Sequence, residues 1–322
     1  MKFRTEIKIT PYKEPIHLSD RLLTLGSCFA DEVGARLREH KFRVVCNPTG
    51  PLFNPISLHR LLQRALDRRY HTEQELMCNE RQEYFLFDHS TRLTSHDPKQ
   101  LLGEANALLD TLREAFTASR HLLLTFGTAW VYRLTGNGEV VANCHKQPKE
   151  LFTRERLSVE EIVACWKPLV EANPEKLFTL TVSPIRHLGD GMEANALSKA
   201  ILRVAAAELA EQCPQVRYFP AYEILTDDLR DYRFYADDLC HPSTQGAEYI
   251  FERFMETAVD PHDRSTAEEA ARLRAFIHHR PLHPASMAYR SECAAMIARM
   301  EAFSAGTKID FSEEIALLKR NL

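Results

Sequence analysis

The sequence predicts an α/β fold: a three-layer, doubly wound, mainly parallel sheet with a helical C-terminal extension. Three observations predict it. Short apolar strands alternate with amphipathic helices, several strands stop at a glycine, and beyond about residue 260 only charged helical segments remain. Such alternation is the pattern of a parallel sheet covered on both faces.

Residues 21–25 read as a buried strand ending at Gly26, followed by a helix over 30–39 with Val33, Ala35 and Leu37 at helical spacing. A second strand, 42–46, runs into the turn-forming cluster Asn47-Pro48-Thr49-Gly50-Pro51. The spacing of Leu58, Leu61, Leu62 and Ala65 predicts a helix over 57–66, and residues 84–87 form a candidate strand within a candidate insertion around 67–97. Asp97 is placed to cap a helix that has Pro98 in its first turn and Leu101, Leu102, Ala105, Leu108, Leu109, Leu112 and Phe116 on one face.

Residues 121–126 are a buried strand ending at Gly127, and 131–134 with 139–142 flank Gly136-Asn137-Gly138, a hairpin signal. Ser158-Val159-Glu160-Glu161 is a capping box that opens a helix. A strand over 177–182 is followed by a helix over 195–209, expected to turn Leu197, Ile201, Val204 and Leu209 inward, and by a last strand over 216–219. A helix from about 244 to 259 meets Asp260-Pro261-His262-Asp263, and helical segments follow over 267–278, 285–303 and 311–318. The expected organisation is a catalytic domain over 1–260 and a helical extension over 261–322.

Composition narrows the function. The 322 residues carry 41 Lys+Arg against 45 Asp+Glu, a net charge of −4, with 44% hydrophobic residues. A near-neutral chain without a basic run lacks the footprint of a nucleic-acid binder. Residues 44–59, the longest charge-free stretch, are broken by Pro48, Pro51 and Pro55, so no membrane span is expected. The N-terminal Met1-Lys2-Phe3-Arg4-Thr5-Glu6 carries no apolar leader, and the eight cysteines include no C-x-x-C pair, which together favour a cytoplasmic, reduced protein. His279 and His283 form the one H-x-x-x-H pair, which spans Pro281, so no metal is expected; without a phosphate or dinucleotide loop, neither is a cofactor.

Two segments carry chemistry. Gly26-Ser27-Cys28-Phe29-Ala30 lies where a strand gives way to a helix, where ligands bind in open α/β sheets. A hydroxyl there faces free N–H groups and the positive end of the helix dipole, although Ser is also a preferred N-cap. Cys28 offers an alternative nucleophile if the helix terminus lowers its pKa. Asp237-Asp238-Leu239-Cys240-His241, after the last strand, places an acid three residues before a histidine. A serine nucleophile needs a base, and that base needs an orienting acceptor on its other ring nitrogen.

The pair of segments resembles the SGNH (GDSL-like) hydrolases, and more narrowly the GSCFA family, named for the residues at Gly26 to Ala30. Further segments are similar to that family: Asn47-Pro48-Thr49-Gly50-Pro51-Leu52-Phe53-Asn54-Pro55, Phe126-Gly127-Thr128-Ala129-Trp130, Asn143-Cys144-His145-Lys146, Ser183-Pro184-Ile185-Arg186-His187 and Asn195-Ala196-Leu197-Ser198-Lys199. The resemblance implies a flavodoxin-like sheet and ester hydrolysis with Ser27 as nucleophile, His241 as base and Asp238 as its orienter. It also implies an oxyanion hole from the backbone N–H groups of Ser27 and Gly50. The parent pattern's third donor, an Asn, is replaced here by Ala129, with Asn143 or Asn54 as substitutes. Gly127, Lys146, Arg186 and His187 are candidate substrate-binding residues, while Asn195 and Lys199, one helical turn apart, are expected to brace a neighbouring loop. The expected partner is a small-molecule or glycan acyl ester. Transfer of the acyl group to another alcohol, or a non-catalytic ligand-binding role, are the alternatives, and a homodimer through the C-terminal helices is one arrangement the charged tail allows.

Overall fold

The computed structural model describes residues 4–284 and 286–320. Met1, Lys2 and Phe3, read above as the start of a leaderless N-terminus, lie outside the described residues, as does Ala285, the expected start of a helix. The strands are β1 Arg21–Gly26, β2 Arg43–Cys46, β3 Met77–Cys78, β4 Tyr84–Phe85, β5 His121–Phe126, β6 Trp130–Leu134, β7 Val140–Val141, β8 Phe152–Arg156, β9 Leu177–Val182 and β10 Val216–Tyr218. The helices are α1 Cys28–Glu39, α2 Pro55–Leu66, α3 Pro98–Ala118, α4 Val159–Glu171, α5 Met192–Gln212, α6 Ala221–Glu223, α7 Thr244–Ala258, α8 Pro261–Ala275, α9 Met287–Thr307 and α10 Ser312–Lys319.

The fold is α/β. Five strands pair in parallel in the order β10-β9-β5-β1-β2, so counting sheet strands along the chain the order is 2-1-3-4-5. Side chains of a strand alternate between faces, and the sheet uses both. Leu23, Leu25, Leu122 and Leu124 pack with α2, α3, α4 and α5 on one face, while Leu22 and Leu123 pack with α1 and α7 on the other. The order reverses between β1 and β5, so the crevice for a ligand opens at their carboxyl ends, beyond Gly26 and Phe126.

Local signals hold where chemistry is local. Asp97 accepts from the Lys99 N–H at 2.8 Å to cap α3, and Ser158 with Glu161 closes a capping box on α4. Asn54, not marked in the sequence as a cap, accepts from the Ser57 N–H at 2.8 Å, so α2 begins two residues early, at Pro55. Asp260 caps α8 from the His262 and Asp263 N–H groups, which starts that helix at Pro261 rather than 267.

Two expectations need correction. The strand expected over 84–87 is the two-residue β4, paired with β3 and bridged to Ser95. The hairpin of β6 and β7 gains a third antiparallel strand, β8, on its other edge, giving a small sheet in the order β7-β6-β8. Within it only Gly138 has positive φ, at 73°.

The face of α5 is also not the one its aliphatic spacing suggested. Leu197 and Val204 are 42% and 47% exposed, whereas Asn195, Ser198, Lys199, Leu202, Ala205, Ala206 and Leu209 are buried. Three polar side chains turn the helix because each has a partner beneath it. Asn195 Oδ1 accepts from the His187 N–H, Ser198 Oγ from the Ala129 N–H, and Lys199 Nζ donates to the Gly127 and Ser183 carbonyls.

Beyond Val259 the helices α8, α9 and α10 close over their own small core of Leu273, Tyr289, Cys293, Ile297, Met300 and Phe311. Lys41 ties this core to the sheet through Glu314, 2.7 Å away. Among the described residues no helix is long and apolar enough to cross a membrane.

Three buried imidazoles set the acid limit of the fold. Burial lowers His89 to about 3 and His121 and His187 to about 4. The unfolded chain titrates these groups near 6.5, so it binds protons first as pH falls. The stability contributed by keeping these rings neutral is therefore full above pH 6.5 and is lost as pH falls to about 4, at up to about 1.4 kcal/mol per pH unit for each histidine. Urea midpoints measured from pH 7 to pH 4 should fall throughout that window, and a flat profile would contradict the assignment.

Candidate functional site

The strand-to-helix turn is built by close backbone packing. Gly26 has φ 131°, and a Cβ there would lie 2.1 Å from the Thr125 carbonyl oxygen, so only glycine lets β1 and β5 close at this point. Asn47 locks the turn from the neighbouring strand end: its Oδ1 accepts from the Gly26 N–H at 2.8 Å and its Nδ2 donates to Asp31 at 2.8 Å. Ser27 follows with extended backbone as the N-cap of α1, and its Oγ accepts from the Phe29 N–H at 3.3 Å. Ser27 is thus both cap and candidate nucleophile, and it is almost fully buried, facing a cavity.

The cavity has a volume of about 480 Å³ and is lined by Ser27, Cys28, Phe53, Asn54, Asn143, Ser183, Ile185, His187, His241 and the inner side of the β6–β7 hairpin. The hairpin forms its roof and is pinned to the body: Trp130 Nε1 donates to the Ala194 carbonyl, and Arg154, 3.9 Å from the Trp130 ring, pairs with Asp190.

His241 reaches the cavity from a tight turn that Asp238 organises. Asp238 Oδ1 accepts from the Cys240 and His241 N–H groups at 2.9 and 3.0 Å, and Oδ2 lies 2.6 Å from His241 Nδ1. Those bonds, the His241 N–H first, hold the Asp238 carboxyl down to about 2. It is therefore ionised throughout the ordinary working range and presents an acceptor to Nδ1, leaving His241 Nε2 without a hydrogen-bond partner among the described residues. No hydrogen bond joins Ser27 Oγ to His241 among the described residues, although both line the same cavity.

The remaining expected site residues divide. Arg186 braces the loop: its N–H donates to the Cys240 carbonyl at 3.1 Å and its guanidinium lies 3.9 Å from the Tyr235 ring centroid. His187 lines the cavity, with Nε2 buried and unpartnered among the described residues, and burial keeps its ring neutral. Lys146 is exposed and outside the cavity lining, while His145 next to it stacks on Phe85 at 4.4 Å. The Gly127 amide donates to the Phe53 carbonyl and its carbonyl receives Lys199, so Gly127 acts through backbone packing alone.

The expected oxyanion donors are occupied. The Ser27 N–H donates to the Thr125 carbonyl at 3.2 Å, and the Gly50 N–H to Asn47 at 2.8 Å; Gly50 does not line the cavity and packs against Ser90. Asn54 spends Oδ1 and Nδ2 on Ser57. Asn143 uses Oδ1 for the His145 N–H, which leaves Nδ2 unpartnered at the cavity, and the Cys28 N–H at the start of α1 has no acceptor among the described residues. Ala129 is buried beneath Ser198 rather than in the cavity wall. The Cys28 thiol is not activated, since burial and the nearby Asp31 raise its pKa.

Family models described as the GSCFA family and as the GSCFA domain protein, C-terminal domain, match residues 21–254 and 270–322. The chain belongs to the GSCFA family. A solved structure described as a putative platelet activating factor from Streptococcus pneumonia is similar to this GSCFA chain at 14% identity and a TM-score of 0.38, covering 76% of this chain and 83% of that one. No curated protein matches it. The first family match spans every residue of the cavity wall, and none of the described residues after Val259 lines it.

Sequence reasoning on this GSCFA chain missed Asn47, Ser198 and the Trp130 roof. Asn47 adopts φ 38°, a left-handed conformation that asparagine tolerates, so the Asn-Pro turn carried a readable signal. Ser198 and Trp130 carried none, because their partners Ala129 and Ala194 are distant in the chain. The same holds for two groups of metal-capable side chains, His17 with Asp260 and Asp263, and His71 with Glu75 and Asp88, in the second of which Arg64 already supplies the cation.

Proposed function

We propose that this GSCFA protein is an SGNH-type hydrolase that cleaves an O-acyl ester through an acyl-Ser27 intermediate. The observation that carries the reading is the hydrogen-bonded Asp238–His241 pair opening into the same cavity as Ser27 at the N-terminus of α1. In this reading Ser27 Oγ attacks the ester carbonyl and gives its proton to His241 Nε2. The C–O bond breaks, and the alcohol leaves with that proton. Water then attacks the acyl-enzyme, again with His241 taking the proton, and a carboxylic acid and free Ser27 result. Two groups with unspent N–H at the cavity among the described residues, the Cys28 amide and Asn143 Nδ2, serve as the oxyanion donors, in place of the occupied Ser27 and Gly50 amides and of the missing Asn.

A fluorophosphonate probe tests the nucleophile directly. Labelling of the wild type and of Cys28→Ala, absent in Ser27→Ala, is expected. The burial of Ser27 and the unmade Ser27–His241 hydrogen bond favour a second reading, a ligand-binding protein on a decayed hydrolase fold. Unlabelled, well-folded wild type would establish that reading instead.

A further inference from the structure

We infer that the acyl group this site accepts is uncharged and apolar, several carbons long, and is held under the β6–β7 roof. The inference rests on the ester-hydrolase reading for the identity of the ligand as an acyl group, but its physical basis is the cavity wall itself. Beyond Ser27 most of the wall surface is apolar, from side chains that include Phe53, Trp130, Val131, Val141 and Ile185, with polar groups such as Asn143, Ser183 and His187 among them. Two charged side chains line it: Asp190 pairs with Arg154, whereas the Arg186 guanidinium has no carboxylate partner among the described residues and lies on the Tyr235 ring, donating to the Leu239 carbonyl at 3.4 Å. His187 is neutral because burial lowers its pKa to about 4. An anionic acyl group would therefore lose its water against a mainly apolar wall, with the Arg186 guanidinium, already held on Tyr235, as its one cationic neighbour in the lining.

An apolar chain meets the opposite balance, since every methylene leaves water for a wall already built of carbon. The volume of about 480 Å³ exceeds what an acetyl group fills. The lining residue Tyr132 and Leu188, next to the lining residue Gly189, are half-exposed and extend the apolar surface at the cavity.

Trp130 makes binding observable, because the other tryptophan, Trp166, is fully buried away from the cavity. The wild-type protein is titrated with acetamide, butanamide, hexanamide and octanamide, with succinamate as the anionic control, while tryptophan fluorescence is followed. Affinity should rise about three- to fourfold per added methylene, the factor that methylene burial provides, which makes octanamide about 10²-fold tighter than butanamide. Succinamate should bind at least about tenfold more weakly than butanamide. Ala142→Phe, which fills space under the roof, should remove the gain beyond butanamide. A flat series, succinamate binding as tightly as butanamide, or an unchanged series in Ala142→Phe would overturn the inference. Hydrolysis of 4-nitrophenyl acetate, butyrate and octanoate is measured in parallel. A rising amide series with no ester turnover counts against the Ser27 chemistry and upholds the apolar pocket, whereas turnover with a flat series does the reverse.

Discussion

Ser27→Ala should lower ester hydrolysis by about 10⁴-fold or more, because under the proposed mechanism it removes the atom that forms the covalent bond while leaving the Asp238–His241 pair untouched. The variant also loses the cap that Ser27 Oγ provides to the Phe29 N–H, at about 1 kcal/mol, so thermal unfolding must accompany kinetics to show that the fold survives. Asp238→Asn separates orientation from folding. The new Oδ1 can still accept from the Cys240 and His241 N–H groups, which preserves the turn, but the amide in place of Oδ2 presents a donor to Nδ1 and selects the wrong tautomer. A fall of about 10⁴-fold in kcat with unchanged stability is expected where such a tautomer switch occurs. Turnover within tenfold of wild type in both variants would remove Ser27 and Asp238 from the mechanism.

Lys199→Met should cost about 3 kcal/mol at pH 9, read as a shift of the urea midpoint. Lys199 is 1% exposed, and its Nζ donates to the Gly127 carbonyl at 2.6 Å and the Ser183 carbonyl at 2.9 Å, the backbone just beyond β5 and β9. Methionine fills similar space yet leaves both acceptors without a donor, at about 1–3 kcal/mol each. The pH dependence has a definite sign. Burial lowers the Lys199 ammonium to about 7, whereas the unfolded chain keeps its proton up to about 10.4. Between those values the unfolded state binds the extra proton, so the wild type gains stability as pH rises and the variant does not. The deficit of Lys199→Met should be larger at pH 9 than at pH 6, and an equal deficit at both would show that Lys199 does not titrate as burial requires.

Much of the site was legible because its key geometry is local. Ser27 caps the helix it precedes, and Asp238 bonds groups two and three residues ahead, so short motifs carried both. The role of the glycines was not legible. Gly26 and Gly127 stand at strand ends to make room for other backbone, the Thr125 and Phe53 carbonyls. Spacing also misjudged α5, since Leu197 and Val204 obey a helical period but three buried polar partners outweigh them.

By itself the sequence determined the α/β class, the succession of the five sheet strands, the caps at Ser27, Asp97 and Ser158, and the presence of a strand-end serine and of an Asp–His turn. Those features depend on neighbours within a few residues, where periodicity and capping act. Only the tertiary structure decided that Lys199 and Ser198 point inward, that Arg186 and His187 both line the cavity while Arg186 also braces the His241 loop, that Gly50 stands outside the cavity, and that Trp130, Val131 and Val141 roof it. Each of these depends on groups distant in the chain, and a hydrogen bond or an apolar wall between distant segments leaves no periodic trace in the sequence.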